Sequence, residues 1–524
     1  MDVMLAGREM RFHLALLRRA LTACRQGHIG CSPPLLFPFL CRKELGGAGG
    51  LRRDGIVRRT VFGWGDSSCL TTDIGEERVM TSQTPGADPA RRRLTVAIVV
   101  VTGLALVALT AVGVLALQRS DTSAGEKGKP SDETVAITDD ALADLVRDRS
   151  DALSDGDEER FLSAFSGQAK DQQRVVFRNL RKVKLESASF HINGTAGRLE
   201  SSFGSVTARV DVAFAHQIAG VDVQPLKEGY RWTVTKKDAK AKPVITAVDG
   251  APYKLRGPDE PVRKVAYPAP WDLYRDLRVI RTDHVALMTD AAHADAARSA
   301  APQLEKAGRD VLAAWKADGP SSPPAARGFA VTFEPDSKRL AKLYGHGGEP
   351  GNEDGFAASL FNDSASDDFP FGGARVVLKS ATARVGKHEM THALLAPMMR
   401  HAPLGALGGP QTWLVEGAAE YMAGGGLDDR GGLSALRRVG FNGRLPDSMA
   451  FYVEDAHQQA ANYELGRLAV TYLAEKYGEK KALAFVAAQY DAPDKLDEQI
   501  TTATGLDKAG FEAQWAAYVR STLK

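Results

Sequence analysis

His388, Glu389 and His392 occur in the run His-Glu-Met-Thr-His, and Glu416 and Glu420 follow in Trp413-Leu414-Val415-Glu416-Gly417-Ala418-Ala419-Glu420-Tyr421. A helix turns by about 100° per residue, so positions i and i+4 share one face. His388 and His392 can therefore grip one metal ion from a single helix. Glu389 projects beside them, where it can take a proton from water at the metal. Glu416 and Glu420 are again i and i+4, on a second short helix, and Glu416 supplies a third ligand. Two histidines and one carboxylate leave the fourth position of a zinc ion open, as a catalytic site requires. The competing reading is a surface helix that happens to carry two histidines. The second segment weighs against it, because it supplies the missing carboxylate.

The two segments resemble the gluzincin metallopeptidases, in particular the peptidase MA-like group, whose pattern is HExxH followed by W-L-x-E-G-x-A-E-Y. The tail Tyr463…Tyr472-Leu473-Ala474-Glu475-Lys476-Tyr477-Gly478 is similar as well. The likeness covers residues 270–524 and is sharp only in the two motifs. It implies that His388, His392 and Glu416 bind Zn2+, and that Glu389 is the general base and later the proton donor. It implies that Glu420 holds a zinc-bound histidine by a hydrogen bond, which fixes the imidazole tautomer. The expected activity is hydrolysis of a peptide or protein substrate. The oxyanion of such a reaction needs a further donor. Tyr463 is the candidate and His457 the second choice; a core aromatic and a surface histidine are their plainer readings.

The elements that must carry this site lie in a chain of 524 residues, enough for two or three domains. Hydrophobic residues make up 44% and charged residues 25%, an ordinary globular balance. The net charge of +2 hides an asymmetry: residues 1–93 hold 15 basic and 9 acidic groups, the remainder 52 and 56. The bulk is mildly acidic, which argues against nucleic acid as a partner. Leu94–Leu117 has no charged residue. As a helix it would be about 36 Å long, enough to cross a lipid bilayer. Arg91-Arg92-Arg93 precedes it and Arg119 follows. That bias predicts a single-pass anchor in the cell membrane, with residues 80–93 as a cytoplasmic tail and the catalytic part extracellular. A cleaved signal peptide and a buried core helix are the alternatives.

Residues 1–79 differ from the rest. They hold all four cysteines, Cys24, Cys31, Cys41 and Cys69, at spacings that match no paired-ligand pattern. No hydrophobic period persists there. Our expectation is that translation starts at Met80 and that 1–79 is untranslated or disordered; N-terminal sequencing of the native protein tests this. An exported remainder free of cysteine suits an oxidising exterior.

Residues 118–134 read as a polar linker. Residues 135–255 predict a small α+β domain: helices near 141–153, 158–165 and 172–180, then strands. Val206, Ala208, Val210, Val212 and Phe214 alternate with period two. The order of helices then antiparallel sheet weakly resembles the NTF2-like cone. His191 and His216 read as structural. A proline-spaced linker, Pro258–Pro270, leads to residues 270–524. There a strand at 284–289, a helix at 291–317 and a strand at 329–333 precede the motif. Arg375–Lys379 reads as a strand, and the gluzincin resemblance implies that the edge strand there lines the cleft, where an extended peptide can pair. The expected fold class is α+β: one transmembrane helix, the NTF2-like domain, and a zincin domain with a mixed-sheet upper lobe and a helical lower lobe. A rival reading is a non-catalytic cell-envelope binding module with a structural zinc. A third is a lipid- or wall-processing hydrolase.

Overall fold

The computed structural model describes residues 135–524, except 196–199, 203, 254–262, 322–324, 348–352, 364–370, 400–408 and 425–427. The chain opens with α1 (Asp139–Asp155), α2 (Glu158–Leu162) and α3 (Gly167–Leu180). Side chains set two of the starts: Thr138 accepts from Ala141 N and Asp157 from Arg160 N. Strands β1 (Leu185–Thr195), β2 (Glu200–Ser202), β3 (Ser205–Ile218), β4 (Leu226–Lys236) and β5 (Val244–Gly250) follow. They form an antiparallel sheet of order β1-β3-β4-β5, with β2 also on β3.

Next come β6 (Leu277–Arg281), β7 (Val285–Asp290), the long helix α4 (Ala294–Asp318), β8 (Phe329–Phe333), β9 (Gly355–Phe361) and β10 (Phe371–Leu378). Their sheet has the order β9-β10-β8-β7-β6. The inner pairs β10–β8 and β8–β7 are parallel; the outer strands β9 and β6 are antiparallel to their neighbours. The remaining elements are helical: α5 (Ala383–Leu395), α6 (Thr412–Met422), α7 (Asp428–Val439), α8 (Ala456–Tyr477), α9 (Glu479–Asp491), α10 (Leu496–Thr504) and α11 (Lys508–Thr522).

The second sheet is buried on both faces, which is why its inner strands read as unbroken apolar runs. Val285, Leu287, Phe329, Val331, Val376 and Leu378 face the helical core with Leu304, Met390 and Leu394. The alternate positions Ala286, Met288, Ala330 and Val377 join the core of the first sheet, with Phe214, Trp232 and Trp271. The small sheet and the second sheet therefore share one core. Across that contact the Arg375 guanidinium on β10, fully buried, donates to both carboxylate oxygens of Asp222 at 2.6 and 2.9 Å.

Two expectations are corrected here. The predicted α+β fold class with a transmembrane helix gives way to a mixed α/β architecture. None of the described helices is long and apolar enough to cross a membrane. The long ones, α4 and α8, carry charged residues along their length. Leu94–Leu117, where the span was expected, lies outside the described residues, as do 1–79 and the linker up to 134. The edge strand is β9 rather than the Arg375 strand. Arg375 sits on β10, covered by β9 on one side and β8 on the other.

Candidate metal centre

Helix α5 begins at Thr382, whose hydroxyl accepts from Val385 N at 3.3 Å. It lies close against α4: a Cβ at Gly386 would stand 2.8 Å from Leu304 Cδ2. Met390, Ala393 and Leu394 point into the core, which turns His388 and His392 the other way. Helix α6 is anchored by the buried Trp413 and Leu414 and brings Glu416 to the same spot. It crosses α8 glycine to glycine. A Cβ at Gly417 would lie 2.3 Å from the Gly466 carbonyl oxygen, and one at Gly466 would lie 2.4 Å from that of Trp413.

His388 Nε2 and His392 Nε2 are 3.2 Å apart. Glu416 Oε2 is 3.2 Å from the first and 3.4 Å from the second. Donors placed about 2.0–2.1 Å from a tetrahedral ion stand about 3.3–3.4 Å from one another. The three atoms form a triangle of that size, so the group could hold a metal ion. Two imidazole nitrogens and a carboxylate oxygen suit a borderline divalent cation.

The surroundings hold these ligands in place. Glu420 Oε1 lies 2.9 Å from His388 Nδ1, which directs the proton to Nδ1 and the lone pair of Nε2 toward the other donors. The other oxygen of Glu420 accepts from Arg384. Tyr452 donates to Glu416 Oε1 at 2.5 Å, leaving Oε2 for the centre. Burial opposes charge on His388, but the Glu416 and Glu420 carboxylates outweigh it and raise its pKa to about 10. Glu416 is lowered, its burial overcome by His392 and His388. The group thus attracts positive charge, which a metal ion can supply in place of a proton.

Glu389 is buried, and burial raises its pKa against the pull of His388 and His392. The edge strand passes directly over it, since a Cβ at Gly355 would lie 3.1 Å from Glu389 Cγ. Tyr463 is half-buried on α8 with its ring 6.2 Å from that of His388. His457 is exposed at the start of α8, its backbone N–H bonded to Asp455.

The structure thus brings together His388, His392, Glu416, Glu389, Glu420 and Tyr463. Sequence reasoning missed Tyr452, Arg384 and the glycine pair. Tyr452 and Arg384 belong to no motif spacing. Gly417 lies inside the second motif, and only the contact with Gly466 gives it meaning.

No family model matches the chain, and no curated protein matches it in sequence.

Proposed function

We propose that this chain is a zinc-dependent hydrolase that cleaves peptide bonds. The observation that carries the reading is the buried carboxylate of Glu389 beside the His388, His392 and Glu416 triangle. A site that only braces the fold is closed by four protein ligands, whereas three ligands leave a position open and the non-ligating Glu389 stands beside it. Zinc in such a donor set supplies Lewis acidity, polarising a carbonyl and acidifying water. Glu389 accepts the proton that water gives up and returns it to the leaving amine. Its raised pKa brings it nearer the working range of a general base. Glu420 and Arg384 keep His388 in one tautomer and one orientation. Tyr452 fixes which oxygen of Glu416 is presented. Tyr463, with its hydroxyl pKa raised by burial and then by the Glu416 and Glu389 carboxylates, stays a neutral donor for a developing oxyanion.

Glu389→Gln tests the assignment, because it keeps shape and removes the base. The variant should bind zinc as the native chain does and lose peptide hydrolysis by about 100-fold or more. Undiminished hydrolysis by that variant would show that another group is the base.

A further inference from the structure

A second group of polar side chains, none of them a candidate metal ligand, meets where the first sheet packs on the rest of the chain. Glu228 and Tyr230 on β4 and His216 on β3 are buried there. Asp272 faces them from the short helical turn Pro270–Leu273, which lies between the first sheet and β6 in the chain. The Tyr230 hydroxyl stands 3.0 and 3.1 Å from the two Asp272 oxygens and 3.4 Å from Glu228 Oε2. Glu228 Oε1 has no hydrogen-bond donor among the described residues.

A phenol has one proton to give. Asp272, the nearer acceptor, takes it. If Glu228 were ionised as well, its charge would be buried without a donor, which is costly. His216 cannot supply one. Its Nε2, 3.7 Å from Glu228 Oε1, accepts from Arg375 Nη2 at 3.0 Å and so carries no proton. Glu228 therefore meets the Tyr230 oxygen as a protonated acid. The charge balance agrees. Arg375 bonds both oxygens of Asp222. Arg149 on α1 donates to Gln173, lies over the Phe161 ring at 4.1 Å, and favours ionised Asp272 by its charge. Two cations thus face three acids, Asp222, Asp272 and Glu228, and neutrality needs one proton.

The other groups around the joint do not change this count. Asp249 on β5 pairs with Lys264 at 2.8 Å. Burial raises the Tyr267 and Tyr344 hydroxyls, which stay neutral. From β9 the core receives Phe356 and Ala358. Asp272 also lines an open surface cavity, which lets the proton exchange with solvent.

We propose that Glu228 and Asp272 share one proton through the Tyr230 hydroxyl, and that this proton fastens the Pro270–Leu273 turn to the first sheet, so that the joint opens more readily as pH rises. Burial pushes Glu228 well above the ordinary carboxyl range and Asp272 up to about 7. Once the joint opens, both acids return to the ordinary value of about 4. From about pH 5 to about 7 the closed joint holds one proton more than the open one, so opening should increase about tenfold per pH unit.

The test is amide hydrogen exchange of the full chain across this pH range, corrected for intrinsic exchange. It is read at Leu273 and Tyr274, whose N–H groups bond the carbonyls of Ala269 and Pro270. Native protection should fall about tenfold per pH unit. Glu228→Gln can donate to Tyr230 from an amide that does not titrate, so its protection should vary less than about twofold. Asp272→Asn should flatten the slope as well, and it serves if the first variant does not fold. Melting temperature reports whether each variant is folded. Native protection that does not change with pH overturns the shared proton, as does a native slope that persists in the folded variants.

Discussion

At the scale of single residues, the candidate centre is braced by hydrogen bonds that reach its histidine and carboxylate side chains from behind. His388 is held by Glu420, and Glu420 by Arg384. An amide at position 420 can still accept at one atom but no longer attracts the imidazole proton as a carboxylate does. Glu420→Gln should weaken zinc binding by about 10–100-fold, read by competition with a chelator. Tyr463→Phe removes a hydroxyl that touches no ligand. Its expected result is a kcat lower by on the order of a hundredfold with zinc content unchanged. A normal kcat in that variant would transfer the donor role elsewhere, Tyr452 being the other hydroxyl beside the ligands.

At the scale of elements, the site depends on how closely α6 approaches α8. Neither helix has room for a methyl group where Gly417 meets Gly466. Gly417→Ala would gain helix propensity but force backbones apart beside a metal ligand. Overpacking of this kind costs about 1–3 kcal/mol. The variant should melt at lower temperature and bind zinc more weakly, because Glu416 precedes the displaced residue. Strand β9 makes a comparable approach at Gly355, so the edge of the sheet, Glu389 and the ligands form one packed unit.

At the scale of the whole molecule, the small sheet is joined to the second sheet by shared core and by a buried ion pair. Asp222→Ala leaves the Arg375 guanidinium buried without its carboxylate. The expected loss is about 3–5 kcal/mol, measured by denaturant unfolding. A half-buried acid makes stability depend on pH. Asp272 accepts from the Tyr230 hydroxyl at 3.0 Å and from Ala269 N at 3.1 Å. Burial nevertheless raises its pKa to about 7. Between an ordinary carboxyl pKa of about 3.9 and that value, the folded state holds a proton that the unfolded state has lost. Folding stability from this group is therefore full below about pH 4 and declines as pH rises toward 7. Asp272→Asn should flatten that slope in melting temperature against pH.

The sequence alone picked out the three residues that could hold a metal ion. Helical period is a local property, so the i, i+4 spacing of His388 with His392 and of Glu416 with Glu420 could be read without a fold. The helices near 141–153 and 291–317 and the strand at 329–333 were readable for the same reason, within a few residues. Tertiary structure decided what lies far apart in the chain. Nothing local tells that Tyr452 would reach Glu416, or that Gly417 would touch Gly466. Nor does spacing reveal which strand ends a sheet: the Arg375 strand was expected at the edge from the family resemblance, and Arg375 is instead buried and paired with Asp222. The apolar run at Val285–Asp290 signals a strand covered on both faces, but only the packed structure shows that the small sheet is the second cover. Local period selects an element and the face it presents; the partner of that face is set by contacts between distant segments, which no spacing encodes.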